Sequence, residues 1–246
     1  MRLPTALIIQ HVPGEPPGRL PGWLLDGGVL SSVVTPYDGT PLPDLDGYAA
    51  VVSLGGPMSA YDDESVPWLG PTRDLLRRAA AGGTPTLGIC LGAQLLAVAF
   101  GGRVRRGVDG PEIGPALVAK RDVAAADELF GRVPFTPDVM QWHYDGITEL
   151  PASAVLLASS PRFANQAFRV GERAWGLQFH IETTPEMVRG WVAASAVALA
   201  EHGVDPQRVL ARLDEAHADL EEVWRPFTAR FAELVRRVDH AASGGT

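Results

Sequence analysis

The sequence is poor in cysteine and in positive charge. Cys90 is the only cysteine among 246 residues, which excludes a disulfide within the chain and a metal site built from several thiolates. The 21 Lys and Arg residues are outnumbered by 29 Asp and Glu residues, so the formal net charge is −8. Because a nucleic-acid binder needs a basic face that neutralises phosphates, we expect no nucleic-acid partner.

Long hydrophobic runs are also missing. No uncharged apolar segment approaches the ~18 residues that a membrane-spanning helix requires. The apolar stretch near the N-terminus is too short for the core of a secretory signal. The composition, 46% hydrophobic and 20% charged, is that of an ordinary globular protein. We therefore expect a cytoplasmic protein with no membrane partner.

Over about the first 180 residues, short β-branched segments alternate with helical patterns. This alternation is typical of βα units and predicts an α/β fold with a mainly parallel central sheet flanked by helices. The predicted strands cover residues 5–12, 29–35, 49–54, 85–89, 116–120, 139–142, 155–158, 166–170 and 174–179. The predicted helices cover residues 20–26, 68–81 and 91–100, with a short helical piece near 124–130.

The C-terminal part of the sequence is predominantly helical. Residues 184–186 (Thr-Pro-Glu) carry the signature of a helix start, and this helix is expected to run to residue 203. A second helix begins at residues 205–206 (Asp-Pro). It should kink or break at Pro226, because proline lacks the backbone donor of a helical residue. Residues 241–246 are expected to fray.

Residues 88–92 place Cys90 in a Gly-x-Cys-x-Gly pattern between a predicted strand and a predicted helix. A nucleophile at such a sharp turn has a strained backbone, and small neighbours allow the chain to turn tightly. The following helix directs free N–H groups and its positive dipole end at the thiol. Cys90 is therefore the candidate nucleophile, with an ordinary buried cysteine as the alternative.

A thiol nucleophile needs a base, and His180 is the best placed of six histidines. It follows a predicted strand, and Glu182 lies two residues further on, so both side chains point to the same side of an extended chain. Glu182 can then orient the imidazole as a triad carboxylate does. His11 is expected to be structural. Three histidines on the C-terminal helices are expected to be solvated: His202, His217 and His240.

Residues 54–59 (Leu-Gly-Gly-Pro-Met-Ser) directly follow another predicted strand. The two glycines let backbone N–H groups approach a ligand closely. Together with the Leu91 N–H that follows the nucleophile, these donors could stabilise the oxyanion of a tetrahedral intermediate. A plain strand-to-loop turn is the alternative.

In combination, these segments resemble the class I glutamine amidotransferase family, and most of all the amidotransferase part of GMP synthase and its stand-alone relatives. The matching segments read GGPMS at residues 55–59, GICLGAQ at 88–94 and QFHIE at 178–182. The resemblance extends over roughly residues 5–185. It implies a Rossmann-like α/β fold. It also implies an enzyme that splits glutamine into glutamate and ammonia without a metal or other cofactor. We predict a family domain over residues 1–190 and a helical C-terminal extension over 191–246, packed on the same domain.

The resemblance also implies roles for individual residues. Cys90 would be the nucleophile, His180 the general base and acid, and Glu182 the orienting carboxylate. Gly56 and Leu91 would supply the amides of the oxyanion hole.

Substrate contacts are implied for a second group of residues. Gln94 lies one helical turn after Cys90 and on the same face. Residues 142–145 (Trp-His-Tyr-Asp) resemble the segment that holds the α-amino and α-carboxylate groups of glutamine, although His143 could equally be a structural loop histidine. The implied substrate-binding residues are Gly55, Gln94, His143, Tyr144 and Asp145.

Two features depart from the family pattern. Ile181 stands where the family usually has proline between the histidine and the glutamate, which preserves their spacing in a less rigid loop. The sequence also has no GxxxxGK[ST] phosphate-binding loop and no synthetase domain after the helical segment. We therefore expect that the chain is not a complete GMP synthase by itself and that its ammonia passes to a separate synthetase subunit.

Other functions fit parts of the pattern. A γ-glutamyl peptide hydrolase presents the same glutamyl half to the same triad, so the motifs do not separate it from a glutamine-hydrolysing enzyme. A hydrolase of the dienelactone-hydrolase kind shares Gly-x-Cys-x-Gly but needs an acid between the cysteine and a terminal histidine, and the His-x-Glu pattern argues against it. A catalytically silent regulatory module would have a broken triad, whereas all three residues are present.

Overall fold

An eight-stranded sheet organises residues 2–243, the part of the chain that this computed structural model describes. In chain order, the strands are β1 (Thr5–Ile9), β2 (Leu30–Val34), β3 (Ala50–Ser53), β4 (Thr86–Ile89), β5 (Arg103–Arg106), β6 (Glu112–Leu117), β7 (Ala119–Lys120), β8 (Asp138–His143), β9 (Asp145–Glu149), β10 (Val155–Ser159), β11 (Ala167–Val170) and β12 (Ala174–Leu177). The helices are α1 (Leu20–Asp26), α2 (Leu69–Ala81), α3 (Leu91–Ala99), α4 (Pro185–Ala194), α5 (Ala196–Glu201), α6 (Pro206–Ala211) and α7 (Leu213–Ser243). Single 3₁₀ turns cover Pro36–Asp38 and Asp122–Ala126.

The strand order of the large sheet is β2-β1-β3-β4-β12-β11-β10-β7. The first five strands pair in parallel, and the last three add antiparallel to one side. Two antiparallel ribbons, β5 with β9 and β6 with β8, lie outside it. The predicted α/β fold with a mainly parallel sheet flanked by helices is confirmed.

Both faces of the four inner parallel strands, β1, β3, β4 and β12, are buried. In β1, Ala6 and Ile8 belong to the core that includes residues of α1 and α7, whereas Leu7 and Ile9 belong to the core that includes residues of α2 and α3. A parallel sheet covered on both faces needs such uninterrupted apolar strands, because alternate residues point to opposite sides. No helix within residues 2–243 has the length and apolar character needed to cross a bilayer.

The predicted break at Pro226 is wrong. Helix α7 is 31 residues long and continues through Pro226. Trp224, Phe227 and Phe231 are buried along its inner face. A proline inside a helix costs about 3 kcal/mol, and burial of three aromatic side chains outweighs that cost. The tail residues up to Ser243 belong to α7, and residues 244–246 of the predicted frayed tail lie outside the described residues.

Other boundaries also differ from the predictions. The helix expected over 184–203 is interrupted at Ser195, where α4 ends and α5 begins. The strand expected over 116–120 is divided between two sheets, because β6 pairs with β8 and β7 pairs with β10. The helical piece near 124–130 is only the short 3₁₀ turn. Strands β5 and β9 were not predicted individually, since each contributes only one buried apolar side chain, Val104 and Ile147, which is too few to form a strand pattern.

Candidate active site

The candidate residues meet at one edge of the large sheet. Ser53 of β3 is in register with Gly88 of β4, and Gly88 with Gly176 of β12, so the three parallel strands end at nearly the same level. Gly55, Cys90 and His180 follow these three strand ends. The carboxyl ends of parallel strands are where ligands of α/β proteins bind.

Cys90 has the strained backbone that the motif predicts. Its φ of 51° and ψ of −109° make it the only non-glycine residue with positive φ among the described residues. A Cβ on Gly88 would lie 2.5 Å from the Gly92 carbonyl oxygen, and one on Gly92 would lie 2.1 Å from the Ser53 carbonyl oxygen. The turn into α3 therefore has no room for side chains at the two glycines. It holds the backbone of Cys90 at a positive φ, which ordinarily costs a non-glycine residue about 1–3 kcal/mol.

His180 is held by Glu182. Its Nδ1 is 2.7 Å from Glu182 Oε1, and the other carboxylate oxygen accepts a hydrogen bond of 2.9 Å from the Ile181 N–H. The backbone of His180 is bridged to Met140, with its N–H donating to the Met140 carbonyl. Both side chains of the pair are 1% exposed, so imidazole and carboxylate are fixed without competition from water.

The charge of His180 depends on its surroundings. Burial opposes protonation of the imidazole, but Glu182 and the neighbouring Cys90 outweigh it and raise the pKa of His180 well above its ordinary value of 6.5. A protonated imidazole beside a cysteine is the arrangement that favours a thiolate nucleophile.

Trp191, on helix α4, packs against the imidazole of His180. Its ring centroid is 4.9 Å from that of His180, and its Nε1 donates a hydrogen bond of 2.8 Å to the Gly14 carbonyl. Trp191 belongs to α4, which extends across the predicted domain boundary at residue 190. The start of the predicted extension thus forms a wall of the site.

The two residues expected to supply the oxyanion hole lie against each other. A Cβ on Gly56 would be 2.8 Å from Leu91 Cδ2. Leu91 is the first residue of α3, and N–H groups in the first turn of a helix have no acceptor within the helix. The Gly56 segment therefore packs against the residue that opens α3.

The expected substrate-binding residues divide into two groups. Gln94 and His143 are buried and turn towards the Asp145 carbonyl, with Gln94 Nε2 at 3.1 Å and His143 Nδ1 at 2.9 Å. The other imidazole nitrogen of His143 is 3.4 Å from Glu112 Oε2. Both side chains therefore brace the backbone at Asp145, and His143 also lines the cavity described below.

Tyr144 stands at the more open part of the site. Its hydroxyl oxygen is buried without a hydrogen-bond partner in residues 2–243. The guanidinium carbon of Arg106 lies 5.0 Å from the centre of its ring. Arg106 was not predicted, and it adds a positive charge to this part of the cavity.

A cavity of about 500 Å³ is lined by several of these residues, whereas His180 and Glu182 are not part of its lining. Its lining includes Glu15, Gly56, Cys90, Gln94, Tyr144 and Trp191. A larger cavity of about 750 Å³, between residues 2–5 and the end of α7, contains none of the candidate residues. Among the described residues, no three His, Cys, Asp or Glu side chains are grouped as a metal ion would require.

Glu15 is a site residue that the motifs do not indicate, as are Arg106 and Trp191. A Cβ on Gly55 would lie 2.2 Å from Glu15 Oε2 and 2.8 Å from His180 Cε1, so the carboxyl group and the imidazole share the space above this glycine. Glu15 belongs to the loop after β1. A signal was available, because this loop leaves the sheet at the same carboxyl edge as those carrying Gly55 and Cys90.

The other histidines gave mixed outcomes. His217 was expected at the surface but is 2% exposed, with Nε2 at 3.1 Å from Thr183 Oγ1 and Nδ1 at 2.7 Å from the Leu213 carbonyl. It points inwards because α7 packs against the segment after Glu182. His202 and His240 are exposed. His11 is fully buried beside Ser53, and burial lowers its pKa from 6.5 to about 4.

Comparison with known proteins agrees with this geometry. The chain is 31% identical over 189 residues to a protein of Pyrococcus abyssi named as a subunit of a glutamine-hydrolysing GMP synthase, covering 76% of this chain and 86% of the relative. It is 30% identical over 148 residues to "Gamma-glutamyl peptidase 3" of Arabidopsis thaliana, covering 59% of each. Several other relatives named as GMP synthases are much longer, and the chain spans only 27–28% of their length.

The whole architecture is shared with a solved structure. A glutamine amidotransferase from Thermotoga maritima superposes with a TM-score of 0.84 at 32% identity, covering 95% of this chain and all of that one. The family profile "Glutamine amidotransferase class-I" matches residues 28–190, a span that includes Gly55, Cys90, His180 and Glu182. The chain belongs to the class I glutamine amidotransferase family.

Proposed function

We propose that this protein hydrolyses the γ-carboxamide of glutamine through Cys90, His180 and Glu182. The observation that carries the proposal is the buried pair of His180 and Glu182, 2.7 Å apart, beside the only thiol of the chain at the start of α3. That arrangement supplies a nucleophile, a proton carrier and an orienting carboxylate in one place.

In the first half-reaction, the Cys90 sulfur attacks the carboxamide carbon. A C–S bond forms, and the carbonyl electrons move to the oxygen, which the N–H groups of Gly56 and Leu91 stabilise. His180 then gives its proton to the amine as the C–N bond breaks. Ammonia leaves, and a γ-glutamyl thioester remains on Cys90.

In the second half-reaction, water replaces the thiol. His180 removes a proton from the water as its oxygen bonds to the thioester carbon, and the C–S bond breaks to release glutamate. The thiolate of Cys90 and the protonated imidazole of His180 are thereby restored. Glu182 keeps the imidazole oriented and stabilises its charge throughout, without itself taking up the proton.

The remaining residues would position the substrate. The absence of a side chain at Gly55 leaves room for the imidazole and for the Glu15 carboxyl group. Gln94 and His143 hold the backbone at Asp145, which can then bind the α-amino and α-carboxylate groups together with Tyr144. The positive charge of Arg106 beside the Tyr144 ring would favour the α-carboxylate at that end of the cavity.

A second candidate function is hydrolysis of γ-glutamyl peptides. It is supported by the relative named a γ-glutamyl peptidase, which is 30% identical over its matched region. The chemistry is the same, and only the group attached to the departing nitrogen differs.

We also propose that a separate synthetase subunit receives the ammonia. The similarity to a protein named as one subunit of a GMP synthase, over 86% of its length, supports this assignment. In the proposed assembly this chain supplies ammonia, and the nucleotide chemistry belongs to the partner.

Product analysis tests the proposal. The purified protein is incubated with glutamine, and glutamate and ammonia are quantified; mass spectrometry of the rapidly quenched enzyme then searches for a γ-glutamyl group on Cys90. We expect both products in equal amounts and the adduct. Glutamate formation by a Cys90→Ala variant at the wild-type rate would overturn the mechanism. A Glu64→Gln variant, altered at an exposed acid outside the cavity, is the control.

A further inference from the structure

The triad mechanism makes no use of Glu15, although its carboxyl group reaches the centre of the site. Glu15 as a residue is partly exposed, but its Oε2 is sealed from solvent and accepts no hydrogen bond from residues 2–243. Buried carboxylate oxygens are ordinarily satisfied by donors. An unsatisfied oxygen in the wall of a cavity indicates that a donor on a ligand completes it.

The position of Glu15 relates it to the departing group. Its Oε2 and His180 Cε1 both lie above Gly55, with Cys90 Cβ 3.4 Å from the same point. Because His180 hands its proton to the amine that leaves, that nitrogen must lie next to the imidazole. A substituent on the nitrogen would therefore extend past Glu15.

The loop that carries Glu15 is fixed to the triad. Trp191, which packs on His180, donates to the Gly14 carbonyl, and the Arg19 N–H donates to the Glu182 carbonyl at 2.8 Å. A Cβ on Gly18 would collide with that same carbonyl at 2.0 Å. The backbone on both sides of Glu15 is thus anchored next to the triad.

Resting on the function proposed above, we propose that Glu15 selects the leaving group. Its free oxygen accepts a hydrogen bond from departing ammonia, and its negative charge repels any leaving amine that carries its own carboxylate. The site therefore hydrolyses the primary amide of free glutamine in preference to γ-glutamyl amino acids and peptides. An attractive and a repulsive element act together, as specific sites commonly require.

The electrostatics of the cavity support this assignment. Burial raises the pKa of Glu15 from 4.5 to about 7, with His180 opposing and Glu182 adding to the rise. The group is accordingly mostly ionised at pH 8. A second carboxylate placed within a few ångströms of it, in a partly buried cavity, would be strongly disfavoured.

Three substrates separate charge from size. Glutamine has no substituent on its amide, γ-glutamylethylamide has a neutral one, and γ-glutamylglycine has one ending in a carboxylate. The kcat/KM of each is measured at pH 8 for the wild type, for Glu15→Gln, which keeps the shape and removes the charge, and for the control Glu64→Gln.

We expect the ratio of kcat/KM for γ-glutamylglycine over glutamine to rise about tenfold or more in Glu15→Gln. The ratio for γ-glutamylethylamide should change less than about threefold, and the control should match the wild type. An unchanged γ-glutamylglycine ratio, or an equal gain for both substituted amides, would overturn the proposal.

The wild type alone supplies a test that needs no variant. It should discriminate against γ-glutamylglycine more strongly than against γ-glutamylethylamide, and the reverse order would contradict selection by charge. Failure to hydrolyse any of the three would instead overturn the proposed function itself. If the wild type hydrolyses γ-glutamylglycine as efficiently as glutamine, the role of Glu15 proposed here is refuted. Hydrolysis of γ-glutamyl peptides, the second candidate function, would then remain.

Discussion

Two loops bring a carboxyl group to His180, and they hold it in opposite ways. In residues 180–182, Glu182 is satisfied on both oxygens, by the imidazole and by the Ile181 N–H. In residues 13–18, Glu15 places an unsatisfied oxygen beside the same imidazole. The first arrangement gives each carboxylate oxygen a donor, whereas burial raises the pKa of the Glu15 carboxyl group. A carboxylate with its donors in place can orient a partner, whereas one without donors is available to a ligand.

The comparison of the two loops matters only if Cys90 is the reacting thiol. Removing Cys90 therefore has the largest expected effect on activity. Cys90→Ala should abolish glutamine hydrolysis, a loss of about 10⁴-fold or more, because no other thiol exists in the chain. Thermal unfolding should show a folded protein, since alanine tolerates the position no worse than cysteine does. Appreciable turnover by the folded variant would remove the basis for comparing the two loops.

The next largest effect is expected at Glu182. Glu182→Gln should lower kcat by roughly a thousandfold or more with KM nearly unchanged, because the amide no longer fixes the imidazole or stabilises its charge. Steady-state kinetics with glutamine measures both constants. A change confined to KM would instead place Glu182 in substrate binding and erase the contrast with Glu15.

Glu15 should affect stability in a pH-dependent way. Its pKa is raised from 4.5 to about 7 in the folded protein, so between these values the native state binds a proton that the unfolded state has lost. The wild type therefore loses stability as pH rises through this range, by about 3 kcal/mol in total. Glu15→Gln removes the titrating group, and its free energy of unfolding relative to wild type should be about 3 kcal/mol higher at pH 8 than at pH 4.

Denaturant unfolding at both pH values measures this difference. Glu64→Gln serves as the control, because its carboxyl group is exposed and should give the same relative stability at pH 4 and pH 8. A Glu15→Gln difference that is equal at the two pH values would mean that Glu15 titrates normally and resembles an ordinary surface acid.

The smallest expected effect is at the contact that anchors the Glu15 loop. Trp191→Phe removes the hydrogen bond to the Gly14 carbonyl and should cost about 1–2 kcal/mol of stability. It should also weaken the preference for glutamine over γ-glutamylglycine, because the loop loses one of its two hydrogen-bonded anchors. Trp224→Phe is matched to it, since the Trp224 Nε1 donates to the Asp138 carbonyl away from the cavity. Equal changes in substrate preference for the two variants would argue against a role of the anchor.

Local pattern was sufficient for the fold class and for most strands. Strand β1 and helix α2 follow directly from apolar runs and helical spacing. Pattern failed where packing overrode it: α7 continues through Pro226, and His217 of the same helix is buried instead of solvated. In each case the contacts that decide the outcome come from residues distant in the sequence.

Within the site, the sequence by itself determined the local arrangements, in which the residues concerned are only one or two positions apart. Two glycines, each two residues from Cys90, suffice to place it at a tight turn. An i/i+2 spacing suffices to bring Glu182 to His180, because covalent geometry leaves few alternatives over so short a distance. Only the tertiary structure decided that Glu15, Arg106 and Trp191 join them. Their positions follow from how the parallel strands align and how α4 packs across the sheet edge, and those contacts arise from burial of apolar surface between distant segments, which no local pattern encodes.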